Sequence, residues 1–173
     1  MTPDALIIRS DVAASGSYIA VLELGRDHVH PIDAGRYGHA VLAAAERADY
    51  DAAVLRQLTD KGITADDAAA VIADLRRDRP PLDDTATAPL RFVPGVAQRD
   101  GRGFITLELD GAGIGQLDID EARSHALHAL GAGIAADLDA GYHHALRGII
   151  GLDDHAARAA VADLAEYRPE AGR

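Results

Sequence analysis

The chain has no cysteine and no tryptophan, only two phenylalanines among its 173 residues, and a single lysine, Lys61. The missing cysteine excludes disulfides, thiolate metal sites and cysteine nucleophiles. With so few aromatics the core must be fine-grained, built from Ala, Leu, Val and Ile, and the abundance of alanine favours helix over strand. No segment approaches the ~20 consecutive apolar residues that span a bilayer. The N-terminal stretch Met1 to Arg9 lacks the basic start and long apolar run of a secretory signal, so the expected location is cytoplasmic.

Positive charge is also scarce. Seventeen Lys and Arg stand against 28 Asp and Glu, a formal net charge of -11. Residues 1 to 85 carry fifteen acids and nine bases, and residues 86 to 173 thirteen and eight, so neither half is a basic module. An acidic field of this kind repels phosphate backbones and anionic lipid and draws in basic partners. Direct nucleic-acid and membrane binding are therefore not expected.

What is present is a repetition. Tyr18-Ile-Ala-Val-Leu-Glu-Leu24 is echoed by Phe104-Ile-Thr-Leu-Glu-Leu109, His39-Ala-Val-Leu42 by His125-Ala-Leu127, and Val71-Ile-Ala-Asp-Leu75 with Arg79-Pro80 by Val161-Ala-Asp-Leu164 with Arg168-Pro169. The echoes keep one order at offsets of roughly 85 to 90 residues, the mark of a repeated unit. Each half opens with alternating apolar positions that read as a β-hairpin. These are Leu6 to Arg9 with Tyr18 to Leu24, and Leu90 to Ala97 with Phe104 to Leu109; a third short strand falls near 29–32 and near 115–117. A long helical pattern follows each hairpin. In the second half, Leu127, Leu130, Ile134, Leu138, Tyr142, Ala145 and Ile149 recur at intervals of three or four and predict a core-facing stripe. In the first half Tyr37, Val41, Ala44, Ala48, Leu55 and Leu58 play that part. Asp118 and Glu121 have capping-box spacing, Gly62 and Gly151 stop the long helices, and Thr64 and Asp153 are N-cap candidates for a shorter helix in each half. The fold expected is α+β: two tandem pseudo-symmetric β-β-α-α repeats, 1–80 and 90–169. A proline-rich linker, 81–89, joins them, and 170–173 form a tail.

Chemistry is harder to find. Glu121, His125, His128, Asp139 and His143 share one face of the second long helix, roughly opposite the leucine stripe. Their spacings would let imidazole and carboxylate meet on a divalent metal, which supports a metal-dependent enzyme as one alternative. The first half keeps only His39 of this set, so the five read instead as an exposed, partner-binding face, and no metal site or other cofactor is assigned. Asp110-Gly-Ala-Gly-Ile-Gly115 is glycine-rich, but Gln116 and Leu117 read as strand rather than a helix N-terminus, so it is a hairpin turn and not a phosphate cradle. The helix after Gly62 presents Asp66 and Asp67 where a DNA-reading helix would need the opposite sign. Ser10, Ser15, Ser17 and Ser124 lack a nucleophile-elbow setting, and no catalytic residue is assigned.

The reading that results is a small acidic protein of non-catalytic type that works by binding another protein, with a homodimer compatible with it. It rests on duplication without a duplicated polar constellation. A second alternative is an acidic decoy that imitates nucleic acid, of the sort mobile elements encode.

Overall fold

The computed structural model describes residues 6–24 and 29–167. The Arg168-Pro169 echo, the tail 170–173 and residues 1–5 of the first expected repeat lie outside them. The fold is α+β, with two three-stranded antiparallel sheets each followed by helices. The first sheet consists of β1 (Leu6–Val12), β2 (Tyr18–Leu24) and β3 (Val29–Ile32), in that order across the sheet. After it come α1 (Ala34–Asp60), α2 (Ala65–Arg77) and α3 (Asp84–Thr87). The second sheet has β4 (Leu90–Val96), β5 (Gly103–Leu109) and β6 (Ala112–Asp118), followed by α4 (Ile119–Ala145), a π-helical turn (Leu146–Ile150) and α5 (Asp154–Glu166). Four residues of the proline-rich linker 81–89 wind into α3, whose last residue, Thr87, is buried with its hydroxyl donating to the Leu90 carbonyl at 2.8 Å.

Local signals place the element ends. Asp118 and Glu121 cap α4 reciprocally, each side chain accepting from the other's backbone N–H at 2.8 Å. Thr64 accepts from the Asp67 N–H at 3.1 Å and Asp153 from the Ala156 N–H at 2.8 Å, so both shorter helices start where a capping side chain stands. Asp110 and Gly111 both have positive φ, 51° and 79°, the backbone of a tight turn joining β5 to β6.

The chain divides into two compact units that interleave its halves. One comprises Arg36–Leu127, so it holds the second sheet together with α1, α2 and the first turns of α4. Tyr37, Val41, Ala44 and Ala48 of α1 are all fully buried there, as the first-half stripe predicts. Leu55, Ala68 and Ile72 form a cluster with Val96 packed against it. Strand β5 lies so close to α1 that a Cβ on Gly103 would sit 2.8 Å from the Ala48 carbonyl oxygen, which is why that position has no side chain. The other unit comprises Leu6–Gly35 with residues 128–167, so the first sheet packs with the C-terminal part of α4 and with α5. Ala20, Ala34 and Ala132 form its small cluster, with Ile8 and Ile32 against it.

Candidate functional site

Helix α4 has two faces that each look capable of packing inward, and the structure chooses the one that hydropathy alone would reject. The buried residues are Ala122, Ala126, Ala129, Ala132 and Ala136, at the helical spacing of three or four. The larger apolar residues of the expected core stripe face out: Ile134 is 61% exposed, Leu138 and Tyr142 47% each, and Ile149 82%. Leu127, at the end of the first unit, is exposed as well. This corrects the expectation that the stripe lines the core. The reason is distance. In the second unit a Cβ on Gly133 would meet the Ala34 Cβ at 2.6 Å, so the backbone of α4 approaches too closely for leucine or isoleucine on that side.

Of the five polar residues expected on an exposed face, Asp139 is buried, His125, His128 and His143 are half-buried, and Glu121 alone is exposed. In the first unit, Tyr37 and His125 share a 2.8 Å hydrogen bond between hydroxyl and Nε2, with the rings 5.7 Å apart. Phe92 packs against both, edge-on to Tyr37. Burial pushes the Tyr37 phenol far above its ordinary value, because its anion would have no water to solvate it. Glu121 stays exposed at the start of α4, where it serves the cap.

In the second unit Asp139 is 4% exposed and accepts a hydrogen bond from Ser10 Oγ at 3.0 Å. His143 lies against the Tyr18 ring at 5.7 Å between centroids. Its Nε2 is 3.2 Å from Asp154 Oδ1, at an angle that falls short of a hydrogen bond. Asp154 also meets Arg158 at 2.7 Å and Arg147 at 3.3 Å. The Arg158 hydrogen bond holds the Asp154 carboxyl below its ordinary 3.8, the charge of Arg147 adding to it. Arg158 reaches on to the Gly16 carbonyl at 3.2 Å, tying α5 to the β1–β2 turn. Burial raises the Tyr18 phenol.

The five residues divide between the two units. Glu121 and His125 belong to the first, and His128, Asp139 and His143 to the second. Among the described residues no three His, Asp or Glu side chains come together as a metal would require. The opposite side of α4 is exposed in the second unit, where Ile134, Leu138 and Tyr142 project, and Ile149 is exposed in the π-helical turn that follows. An added Cβ on Gly141, between Leu138 and Tyr142, would meet nothing within 4 Å, so the backbone itself is accessible there. No helix among the described residues is long and apolar enough to cross a membrane.

Two signals for this arrangement were present in the sequence. The alanines at 122, 126, 129, 132 and 136 mark a close-packing face, and the inward histidines and Asp139 share that side of the helical wheel. Against known proteins, no family model, curated protein or solved structure matches the chain.

Proposed function

We propose that this protein acts without catalysis, by binding another protein through the outward apolar face of α4. One observation carries the reading: Ile134, Leu138 and Tyr142 are exposed on the side of α4 away from the buried alanines, and Ile149 is exposed in the π-helical turn that follows. Contiguous exposed apolar surface marks interaction sites in otherwise well-packed proteins. Full burial of a large apolar side chain stabilises by ~1.5–3 kcal/mol, so four of them suffice for the centre of an interface. Tyr142 adds the rigid amphipathic surface that anchors favour. The net charge of -11 supports a partner with a basic margin and disfavours a second copy of the same chain. Asp139, almost wholly buried, is poorly placed to meet that partner, and His125 and His143 are engaged inside their own units.

The same reading takes the chain as an internal duplication. α1 and α4 each have 27 residues, α2 and α5 each have 13, and both long helices bury an aspartate, Asp51 and Asp139. The two aspartates lie 88 residues apart, inside the offset range of the sequence echoes, which supports the duplication. Asp51 is held by arginines and Asp139 accepts from a serine, so the pair supports a structural role rather than two copies of an active site.

The test compares the wild-type chain with a Leu138→Glu/Tyr142→Glu double variant and with Val71→Glu, an exposed change on α2. Each is used to capture proteins from source lysate at low and high salt and is sized by sedimentation. One protein captured by wild type and Val71→Glu but lost by the double variant is the expected result. Equal capture by all three, or no capture by any, would overturn the proposal. A wild-type dimer that the double variant converts to monomer would assign the face to a second copy instead.

A further inference from the structure

The first unit contains a cleft of about 300 Å3 whose composition contradicts the overall charge of the protein. Four arginines line it, Arg47, Arg76, Arg79 and Arg91, in a chain of net charge -11. Only two carboxylates share the lining, Asp51 and Asp84. Asp84 is taken by Arg91 at 2.9 Å, and Arg91 also reaches Glu108 at 3.5 Å. The Asp51 side chain is 1% exposed and lies 2.7 Å from both Arg76 Nε and Arg79 Nη1. A single buried carboxylate requires one positive charge, and here it has two. Arg47 has no carboxylate partner among the described residues.

The geometry also fixes these guanidiniums in advance. Arg79 is held by Asp51 on one side and stacks over the Tyr50 ring, 5.0 Å from its centroid, on another. Its Nη2 is buried and has no hydrogen-bond acceptor. A buried guanidinium N–H without an acceptor is costly, and native structures rarely leave one without a reason. Leu82, Val93 and Pro94 supply an apolar wall to the same cleft. Surplus preorganised guanidinium beside apolar surface is the complement of an oxyanion carried on an apolar body.

We infer that this cleft binds a small organic anion, a carboxylate or phosphate monoester, whose head is held by Arg47 and Arg79 and whose apolar body lies along Leu82, Val93 and Pro94. Arg76 and Asp51 act as positioning residues, keeping Arg79 in place whether or not the ligand is bound. The site is independent of the α4 face and would survive the failure of the protein-binding proposal.

Calorimetric titration of the full chain with benzoate, phenyl phosphate, inorganic phosphate and benzyl alcohol, at 0.15 M salt, tests it. At least one of the two aromatic anions should bind saturably and more tightly than inorganic phosphate, with benzyl alcohol silent; which one does so identifies the head group. Arg47→Gln, which breaks no ion pair, should weaken that binding roughly tenfold or more, the scale of one charge-assisted hydrogen bond. Arg99→Gln, an exposed arginine outside the cleft, removes the same charge and should change nothing. Absence of saturable binding by both aromatic anions overturns the inference. So does equal binding of inorganic phosphate, or an Arg47→Gln affinity matching that of Arg99→Gln.

Discussion

Replacing Tyr37 by phenylalanine should produce a stability deficit that shrinks and then reverses as the solution is made alkaline. Tyr37 is fully buried, and its hydroxyl shares the 2.8 Å hydrogen bond with His125 Nε2. Deleting that hydroxyl leaves the ring contacts with Phe92 and His125 in place. The loss near neutral pH is therefore that of one hydrogen bond, about 1–2 kcal/mol with the partner's desolvation included. For a chain of this size that lowers the melting temperature by roughly 2–8 °C. Burial raises the folded-state pKa of the tyrosine above its unfolded value of 10.0. Its neutral form thus contributes stability that is complete below ~pH 10 and is lost as the pH rises from there toward the folded value, because only the unfolded chain can release the proton. The slope in that window is about 1.4 kcal/mol per pH unit, and phenylalanine has no such term. The two stability curves should cross near pH 11, roughly one unit above the unfolded pKa. Urea unfolding followed by circular dichroism at pH 7, 9, 10.5 and 11 measures this directly. A deficit that stays constant across the series would refute the burial of the phenol, and no deficit at pH 7 would refute the hydrogen bond.

Two glycines of α4 should respond in opposite directions to alanine. Gly141→Ala meets open space and gains the helix propensity of alanine, raising stability by about 0.5–1 kcal/mol. Gly133→Ala drives a methyl to 2.6 Å from the Ala34 Cβ and should destabilise by ~1–3 kcal/mol despite the same propensity gain. Thermal unfolding of the pair distinguishes them, and a stabilised Gly133→Ala would rule out the close approach that turns the leucine side of α4 outward. At the acid end, Asp154 should titrate below 3.8 by NMR, and Arg158→Gln should move its midpoint back up. Because the folded carboxyl is depressed, its contribution to stability is present above the ordinary carboxylate value and is lost as the pH falls through the depressed one. The variant should lack this increment of acid sensitivity, and an unchanged Asp154 midpoint in it would show that the 2.7 Å contact is not made in solution.

The sequence by itself determined the parts that depend on neighbours along the chain. Strand alternation, the Asp110-Gly111 turn, the reciprocal cap of Asp118 and Glu121, and the starts of α2 and α5 are decisions made within a few residues, and each was readable there. The buried stripe of α1 was readable as well, since Tyr37, Val41, Ala44, Ala48 and Leu55 recur at helical spacing and all face inward. The orientation of α4 was not. Its wheel offers a leucine and isoleucine side and an alanine side bearing histidine and aspartate, and hydropathy ranks the first as core. Tertiary structure reversed that ranking for two physical reasons. A backbone approach as close as that of Gly133 to Ala34 admits only small side chains, and the polar residues on the alanine side find partners far away in sequence, with Tyr37 reaching His125 and Ser10 reaching Asp139. The arginine cleft was invisible for the same reason. Asp51 looks like any surface acid until Arg76 and Arg79 converge on it from beyond the end of α1, and only then does a chain with an excess of carboxylates contain a pocket with an excess of guanidinium.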